Sequence, residues 1–130
     1  MSLAMLVAVA SGGAMGSLAR YLTMSLVGRW TGSGFPWGTL AVNIAGSFLM
    51  GMVVELIALR YSVSQEVRAF FAVGILGGFT TFSSFSLDAA LLIERGHLMM
   101  AFTYIAGSVV AGLAALFVAL YLVRQIVAGG

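Results

Sequence analysis

The sequence GGFTTFSSFS, residues 77–86, decides how the chain is organised, because it places glycine and hydroxyl residues in the middle of an apolar segment. Each of the two adjacent glycines disfavours a helix by about 1 kcal/mol relative to alanine. The two threonines that follow are β-branched and lose side-chain freedom in a helix. The helix that contains this sequence is therefore predicted to be broken near Gly77–Thr80.

Two sets of side chains share faces of the helix if it resumes after the break. Aromatic rings recur every third residue along one stripe: Phe79, Phe82 and Phe85. An adjacent stripe carries hydroxyl and carboxylate groups: Thr81, Ser84 and Asp88. Aromatic edges and a polar track are thus expected to run together.

The composition places the whole chain in a membrane. Of its 130 residues, 62% are hydrophobic and 8% are charged, and a soluble domain of this size could not bury so much apolar surface. There is no cysteine, and one histidine with four carboxylates makes a zinc site or an enzyme hard to build. We predict an all-α membrane protein formed by a single integral membrane domain, residues 1–130.

Four apolar segments are long enough to span a bilayer. The first lacks a basic start and outlasts the apolar region of a signal peptide, so it is interpreted as a mature span. The predicted spans are 3–27, 37–59, 69–92 and 98–123.

The first span carries small residues and one arginine. Gly12 and Gly16 form a Gly-x-x-x-Gly pair, which is typical of ordinary close helix packing in lipid. Arg20 can extend to the interface, where Tyr21 beside it would also fit, or it can attract an anion. Both interpretations stay open.

Polar residues in the second and fourth spans invite similar alternatives. Asn43 can hold a hydrogen bond between helices or donate to a dehydrated anion. Glu55 is interpreted as an interfacial carboxylate and His97 as a boundary residue. Tyr104 and Ser108 are four residues apart and share a face of the fourth span.

The arginines give almost no preferred orientation. Three of them (Arg60, Arg68 and Arg124) fall on the side of the termini, against Arg29 and Arg95, with Arg20 between. Because the positive-inside rule depends on a bias in this count, we expect the chain to insert both ways and to pair as an antiparallel homodimer. The scattered arginines do not indicate nucleic-acid binding.

The interior groups suit a small, hard anion. Neutral donors, one fixed positive charge and phenylalanine edges could together replace the water around it. The donors are Thr39, Asn43, Thr80, Thr81, Ser83, Ser84, Ser86, Tyr104 and Ser108, and Arg20 supplies the charge. Carbonyl groups freed at a helix break could hold a hard cation such as sodium.

These residues resemble the Fluc (CrcB-like) family of fluoride channels, and the resemblance covers essentially the whole chain. It rests on GGFTTFSSFS at 77–86, WGTLAVNIAG at 37–46 and LARY at 18–21. The resemblance implies an antiparallel, dual-topology dimer in the bacterial inner membrane, with two pores that pass fluoride passively.

The resemblance also implies roles for individual residues. Phe82 and Phe85 match an aromatic box that faces fluoride, and Asn43 matches the asparagine beside it. The other expected path residues are the polar track Thr81, Ser84 and Asp88 and the hydroxyls of Tyr104 and Ser108, while Gly112 stands where a relative has serine and leaves the lining at that end open. The backbone carbonyls of Gly77 and Thr80 match ligands of a structural sodium ion at the dimer centre.

The implied physiology is passive. Hydrogen fluoride enters a cell as a weak acid and ionises, and the membrane potential then drives fluoride out without ATP or catalysis. An alternative is a small dual-topology multidrug or guanidinium exporter coupled to protons, but such proteins need a glutamate in the first span, which has no acidic residue. A purely structural membrane protein would not explain the aligned phenylalanine and hydroxyl stripes.

Overall fold

Four long helical stretches form the molecule in the computed structural model, which describes residues 1–129. Helix α1 is Leu3–Thr31, α2 is Trp37–Leu59, the third stretch is Gln65–Glu94 and the last helix, α6, is Leu98–Gly129. Each is long and apolar enough to cross a membrane. The prediction of an all-α protein with four membrane-spanning helices is confirmed.

The third stretch contains four helical elements. A short helix α3 (Gln65–Arg68) leads into a π-helical segment (Ala69–Leu76), followed by α4 (Gly77–Phe79) and α5 (Phe82–Glu94). Between α4 and α5 the backbone is extended, with φ/ψ of −87°/160° at Thr80 and −153°/114° at Thr81. The glycine pair itself is helical, so the extended residues follow the glycines.

Hydroxyl side chains mark three helix starts. Ser2 accepts a hydrogen bond from the Met5 amide, Ser64 from the Val67 amide and Thr81 from the Ser84 amide. Such caps satisfy amides that have no partner inside the helix. The cap at Thr81 places the start of α5 one residue later, at Phe82.

Helix α1 packs closely on the π-helical segment through its glycines. A Cβ atom at Gly12 would meet the Phe70 carbonyl, and one at Gly16 would meet the Ile75 carbonyl. The small residues therefore serve helix packing, as the Gly-x-x-x-Gly spacing predicts. This contact holds the third stretch beside α1.

Helices α2 and α6 form the other packed pair. The Glu55 carboxylate and the Arg124 guanidinium are 3.2 Å apart and join the two helices at the end that carries the C-terminus. A buried cluster around Tyr104 and Leu92 then connects α6 to α5, with Phe35, Leu40 and Phe85 packed against it.

Large apolar side chains face outward on the long helices. Leu22 of α1, Val73 of the π-helical segment and Phe102 of α6 are all more than half exposed. Such surfaces are stable only where lipid or another apolar surface covers them. The chain is a multi-pass membrane protein.

Candidate functional site

Asn43 of α2 pairs with the backbone of Thr81 in the same way that one peptide group pairs with another. Its Nδ2 donates to the Thr81 carbonyl at 3.1 Å, and its Oδ1 accepts from the Thr81 amide at 2.8 Å. Thr81 is buried, so the pair satisfies two backbone groups that have little access to water. The predicted hydrogen bond between helices is thus present, and it fixes the extended segment to α2.

The Thr81 side chain organises the start of α5. Its Oγ1 accepts from the Ser84 amide at 3.2 Å and lies 3.2 Å from the Ser83 hydroxyl. Three hydroxyl residues of the GGFTTFSSFS sequence are therefore linked around one helix N-terminus. Ser84, predicted to belong to the polar track, is held there through its backbone.

These two interactions take hydrogen-bond donors away from two carbonyls. In a continuous α-helix the Thr81 amide would donate to the Gly77 carbonyl, and the Ser84 amide to the Thr80 carbonyl. Here the first donates to Asn43 and the second to the Thr81 hydroxyl. The carbonyls of Gly77 and Thr80 are left without their helical donors, and they are the two predicted to bind sodium.

Thr80 is held in place from two sides. Its amide and its hydroxyl both donate to the Leu76 carbonyl at 3.1 Å. Its methyl group lies where a Cβ of Gly46 would be, so glycine at position 46 of α2 permits the approach. The extended pair is therefore fixed by packing as well as by hydrogen bonds.

A cleft of about 370 Å³ opens beside this segment. Its wall combines the amide of Asn43 and the hydroxyl of Ser47 with the backbone of the extended pair and with apolar side chains. The lining residues are Asn43, Gly46, Ser47, Met50, Thr80, Thr81, Phe82 and Leu116.

Five aromatic rings form a connected row that begins next to the cleft, and the centroid of the last ring, Trp37, lies 4.6 Å from that of Phe35. The ring centroids of Phe82 and Phe85 are 5.5 Å apart, and those of Phe85 and Tyr104 are 5.2 Å apart. Phe35 meets Tyr104 edge to face at 5.5 Å. The end ring, Phe82, is 77% exposed. The row leads from an open surface into the buried cluster.

Tyr104, in the buried part of this row, forms a hydrogen bond to another helix. Its hydroxyl donates to Asp88 Oδ2 at 3.1 Å, which links α6 to α5. Asp88 and the buried Thr39 also line a recess of about 360 Å³ that reaches the α1–α2 connection and Arg95. Three residues predicted to belong to one path, Thr39, Asp88 and Tyr104, are therefore neighbours.

Arg20 lies in a separate recess. Half-buried on α1, it shares a recess of about 570 Å³ with Tyr21, Met24, Ser25, Ser83 and Ser84. A fixed positive charge thus faces the hydroxyl side of the α5 start, where an anion could approach from an open surface.

Ser108 lies one helical turn beyond Tyr104 on α6. Its Oγ is buried and has no hydrogen-bond partner among residues 1–129. A buried hydroxyl without a partner is destabilising, so this group is a candidate donor for a path along α6. Gly112, one turn further on, is near the Ser47 hydroxyl, which lies 3.7 Å from where its Cβ would be.

The structure places some of the predicted residues around three separate openings, whereas Phe85, Tyr104 and Ser108 line none of these three. Asn43, Thr80, Thr81 and Phe82 line the cleft. Thr39 and Asp88 line the second opening, while Arg20 and Ser84 line the third.

The sequence analysis assigns no site role to Phe35. It also assigns no role to Ser83 beyond that of a neutral donor. A threonine directly before the helical sequence that starts at Phe82 is the signal that could have indicated a helix cap.

Within residues 1–129, no group of three or more His, Asp or Glu side chains could hold a metal ion. A cation at this site would depend on backbone oxygens. Carbonyl oxygens are the ligand type that hard cations prefer, and the freed carbonyls of Gly77 and Thr80 fit that requirement.

Comparison with known proteins identifies the family of the chain. Residues 7–120 match the family described as "CrcB-like protein, Camphor Resistance (CrcB)". A protein of Chelativorans sp. (strain BNC1) named "Fluoride-specific ion channel FluC" is 54% identical over 121 residues, which is 93% of this chain and 97% of the relative.

Two further proteins with the same printed name are similarly close. That of Agrobacterium fabrum is 56% identical over 118 residues, covering 91% of this chain and 94% of the relative. That of Rhodospirillum centenum is 51% identical over 124 residues, covering 95% and 98%. The chain belongs to the CrcB-like family.

Proposed function

We propose that this protein is a fluoride-specific ion channel, and that fluoride passes through it passively. The name shared by relatives that match nearly the whole chain supports this function. The observation that carries the mechanism is the linked group of Asn43, Thr81 and the phenylalanine row. This group places neutral donors and ring edges beside one open cleft.

The fluoride path combines two kinds of anion contact. Phe82 and Phe85 present the partly positive edges of their rings, and Asn43 keeps one amide hydrogen free after its bond to Thr81. The hydroxyl groups of Thr39, Thr81, Ser84 and Ser108 continue the path, and the Tyr104 hydroxyl joins it only when it turns away from Asp88. These neutral groups replace water around a small anion without binding it too tightly to leave.

Two charged residues adjust the field along this path. Arg20 raises the local concentration of anions in its recess, as a fixed charge in a cleft does. The Asp88 carboxylate accepts the hydrogen bond of the Tyr104 hydroxyl and adds a negative charge beside the path. The charge of Asp88 changes the rate at which fluoride passes, and its carboxylate does not bind the ion directly.

A structural sodium ion binds the backbone carbonyls of Gly77 and Thr80. The support is that both carbonyls have lost their helical donors, and that Gly77 is exposed on the outer surface of the chain. Two such carbonyls are too few to surround a hard cation. A second copy of the chain supplies the other two at the centre of a dimer.

The dimer is antiparallel and contains two pores. The support is the nearly balanced arginine count on the two sides of four spans, together with the exposed apolar surface. In a bacterial inner membrane, the negative interior then drives cytoplasmic fluoride outward. Conduction needs no catalytic residue, and the proposed function is not an enzymatic one.

The proposed function is tested by fluoride efflux from liposomes that contain the purified protein. A fluoride electrode follows the release under a potential set by potassium and valinomycin, with chloride as the control ion. Fast fluoride release with negligible chloride release is expected. Failure of a folded preparation to release fluoride would contradict the proposal and favour proton-coupled export of organic cations.

Labelling of both termini from each side of the membrane tests dual topology, since a single orientation would exclude it.

A further inference from the structure

Two arginines flank a recess between α2 and α3 that takes no part in the proposed fluoride path. The recess has a volume of about 330 Å³ and lies where α2 ends at Leu59 and the chain turns toward Gln65. Its lining consists of Ile57, Ala58, Leu59, Arg60, Tyr61, Ser62, Val63 and Arg68. We propose that this recess binds the phosphate of an anionic phospholipid.

The two arginines have their charges available for a ligand. Both are exposed, and neither forms an ion pair or a side-chain hydrogen bond within residues 1–129. Arg124 at the same end of the molecule differs, because it is 3.2 Å from Glu55. A guanidinium group matches the geometry of phosphate oxygens, and two of them can hold one phosphate from two sides.

The surroundings favour a lipid phosphate over a soluble one. Apolar side chains of Ile57, Leu59 and Val63 belong to the same wall as the arginines. Leu59 is 48% exposed and Tyr61 is 57% exposed, at the end of a span where headgroups lie. A ligand that fills this recess meets arginines and apolar residues in the same lining, and a phospholipid combines a phosphate with hydrocarbon in the same way.

The charges also distinguish between lipid headgroups. The lining contains no carboxylate, so the amine of a zwitterionic headgroup has no partner there and would approach two cations. Glu66 lies nearby in α3 but outside the lining. The recess around Arg95 differs because Asp88 belongs to its wall. A headgroup with net negative charge, such as phosphatidylglycerol, is therefore preferred.

The test is lipid binding to the purified full-length protein in detergent. Native mass spectrometry measures retained phosphatidylglycerol and phosphatidylcholine for the parent, for the pair Arg60→Gln/Arg68→Gln, and for the matched control pair Arg29→Gln/Arg95→Gln. We expect the first pair to bind phosphatidylglycerol about tenfold more weakly, since hydrogen bonds to charged groups are lost. The control pair should bind it as the parent does.

Three outcomes would overturn the proposal. Equal losses in both pairs would mean non-specific attraction, and no loss in either would exclude the recess. Displacement of phosphatidylglycerol by inorganic phosphate at equal concentration would overturn the lipid assignment and identify a free-phosphate site. A thermal unfolding midpoint in detergent equal to that of the parent serves as the folding control for Arg60→Gln/Arg68→Gln. Because lipid binding is measured without fluoride, the result does not depend on the proposed channel function.

Discussion

Asn43 and Thr81 are 38 residues apart in sequence and exchange two hydrogen bonds, of 2.8 and 3.1 Å. A side-chain amide thus occupies the place that a neighbouring backbone would take in a sheet. The Thr81 amide donates to it, and the Gly77 carbonyl loses that donor. One side chain on α2 therefore leaves the Gly77 carbonyl of the third stretch without its helical donor.

Asn43→Asp and Asn43→Leu should both reduce fluoride efflux. The aspartate keeps an acceptor for the Thr81 amide but brings a negative oxygen against the Thr81 carbonyl, and leucine removes both hydrogen bonds. Each unsatisfied buried group costs about 1–3 kcal/mol, so thermal stability should fall as well. Full efflux and unchanged stability for Asn43→Leu would show that the pair has no role.

Phe82→Ile and Phe85→Ile should each lower fluoride efflux about tenfold, which corresponds to about 1.4 kcal/mol of barrier. Phe82 is 77% exposed in the chain, so its replacement should leave folding intact, whereas Phe85 packs against the Tyr104 cluster and should also lose stability. Phe102→Ile on α6, with 68% exposure, is the control and should conduct normally. Normal efflux in both test variants would remove the phenylalanine row from the mechanism.

Asp88→Asn should raise fluoride efflux at low ionic strength. The amide can still accept from the Tyr104 hydroxyl, which now donates to Asp88 at 3.1 Å, while the negative charge near the path is gone. Since salt screens such a charge over about 10 Å at 0.1 M, the gain should shrink when an impermeant salt is added. A lower efflux at every ionic strength would mean that the carboxylate itself is required.

Gly16→Ala should destabilise the protein, whereas Gly13→Ala should not. A Cβ at Gly16 would meet the Ile75 carbonyl of the π-helical segment, but one at Gly13 has no atom within 4 Å in the chain. Overpacking of this kind costs about 1–3 kcal/mol. Thermal unfolding in detergent compares the two variants, and equal midpoints would contradict the close approach of α1.

Thr81→Val should weaken the stabilisation of the protein by sodium, with Thr81→Ser as the control. Valine has no hydroxyl to accept from the Ser84 amide, so that amide can return to the Thr80 carbonyl and compete with the ion. The measurement is the unfolding midpoint in sodium chloride against an organic cation chloride. If sodium stabilises the parent and Thr81→Val equally, the Thr81 hydroxyl does not affect the cation site.

Much of the fold follows from hydropathy, because lipid requires long apolar helices. The four spans could be predicted for that reason. The exact position of the extended residues could not, since helix propensity points to Gly77 and Gly78. Those glycines are helical, and the cap at Thr81 with its partner Asn43 places the extended backbone at Thr80 and Thr81.

The candidate site, like the fold, could be predicted only in part from the sequence. Helical spacing placed Tyr104 with Ser108, but it could not show that the Tyr104 hydroxyl donates to Asp88 on another helix. The contact of Phe35 with Tyr104 could not be predicted, because an aromatic residue before proline is equally typical of a membrane boundary. Contacts between distant segments depend on packing, which no local pattern contains.

The π-helical segment Ala69–Leu76 also determines how the chain tolerates insertions and deletions. Its sequence is almost uniformly apolar, so many substitutions would preserve its chemistry. Its length matters more, because each residue of a helix adds a fixed rise along the axis and a fixed rotation about it. Removal of one residue would turn Thr81 away from Asn43 and Gly78 away from α1 together. The segment is therefore a spacer whose residue count matters more than its composition.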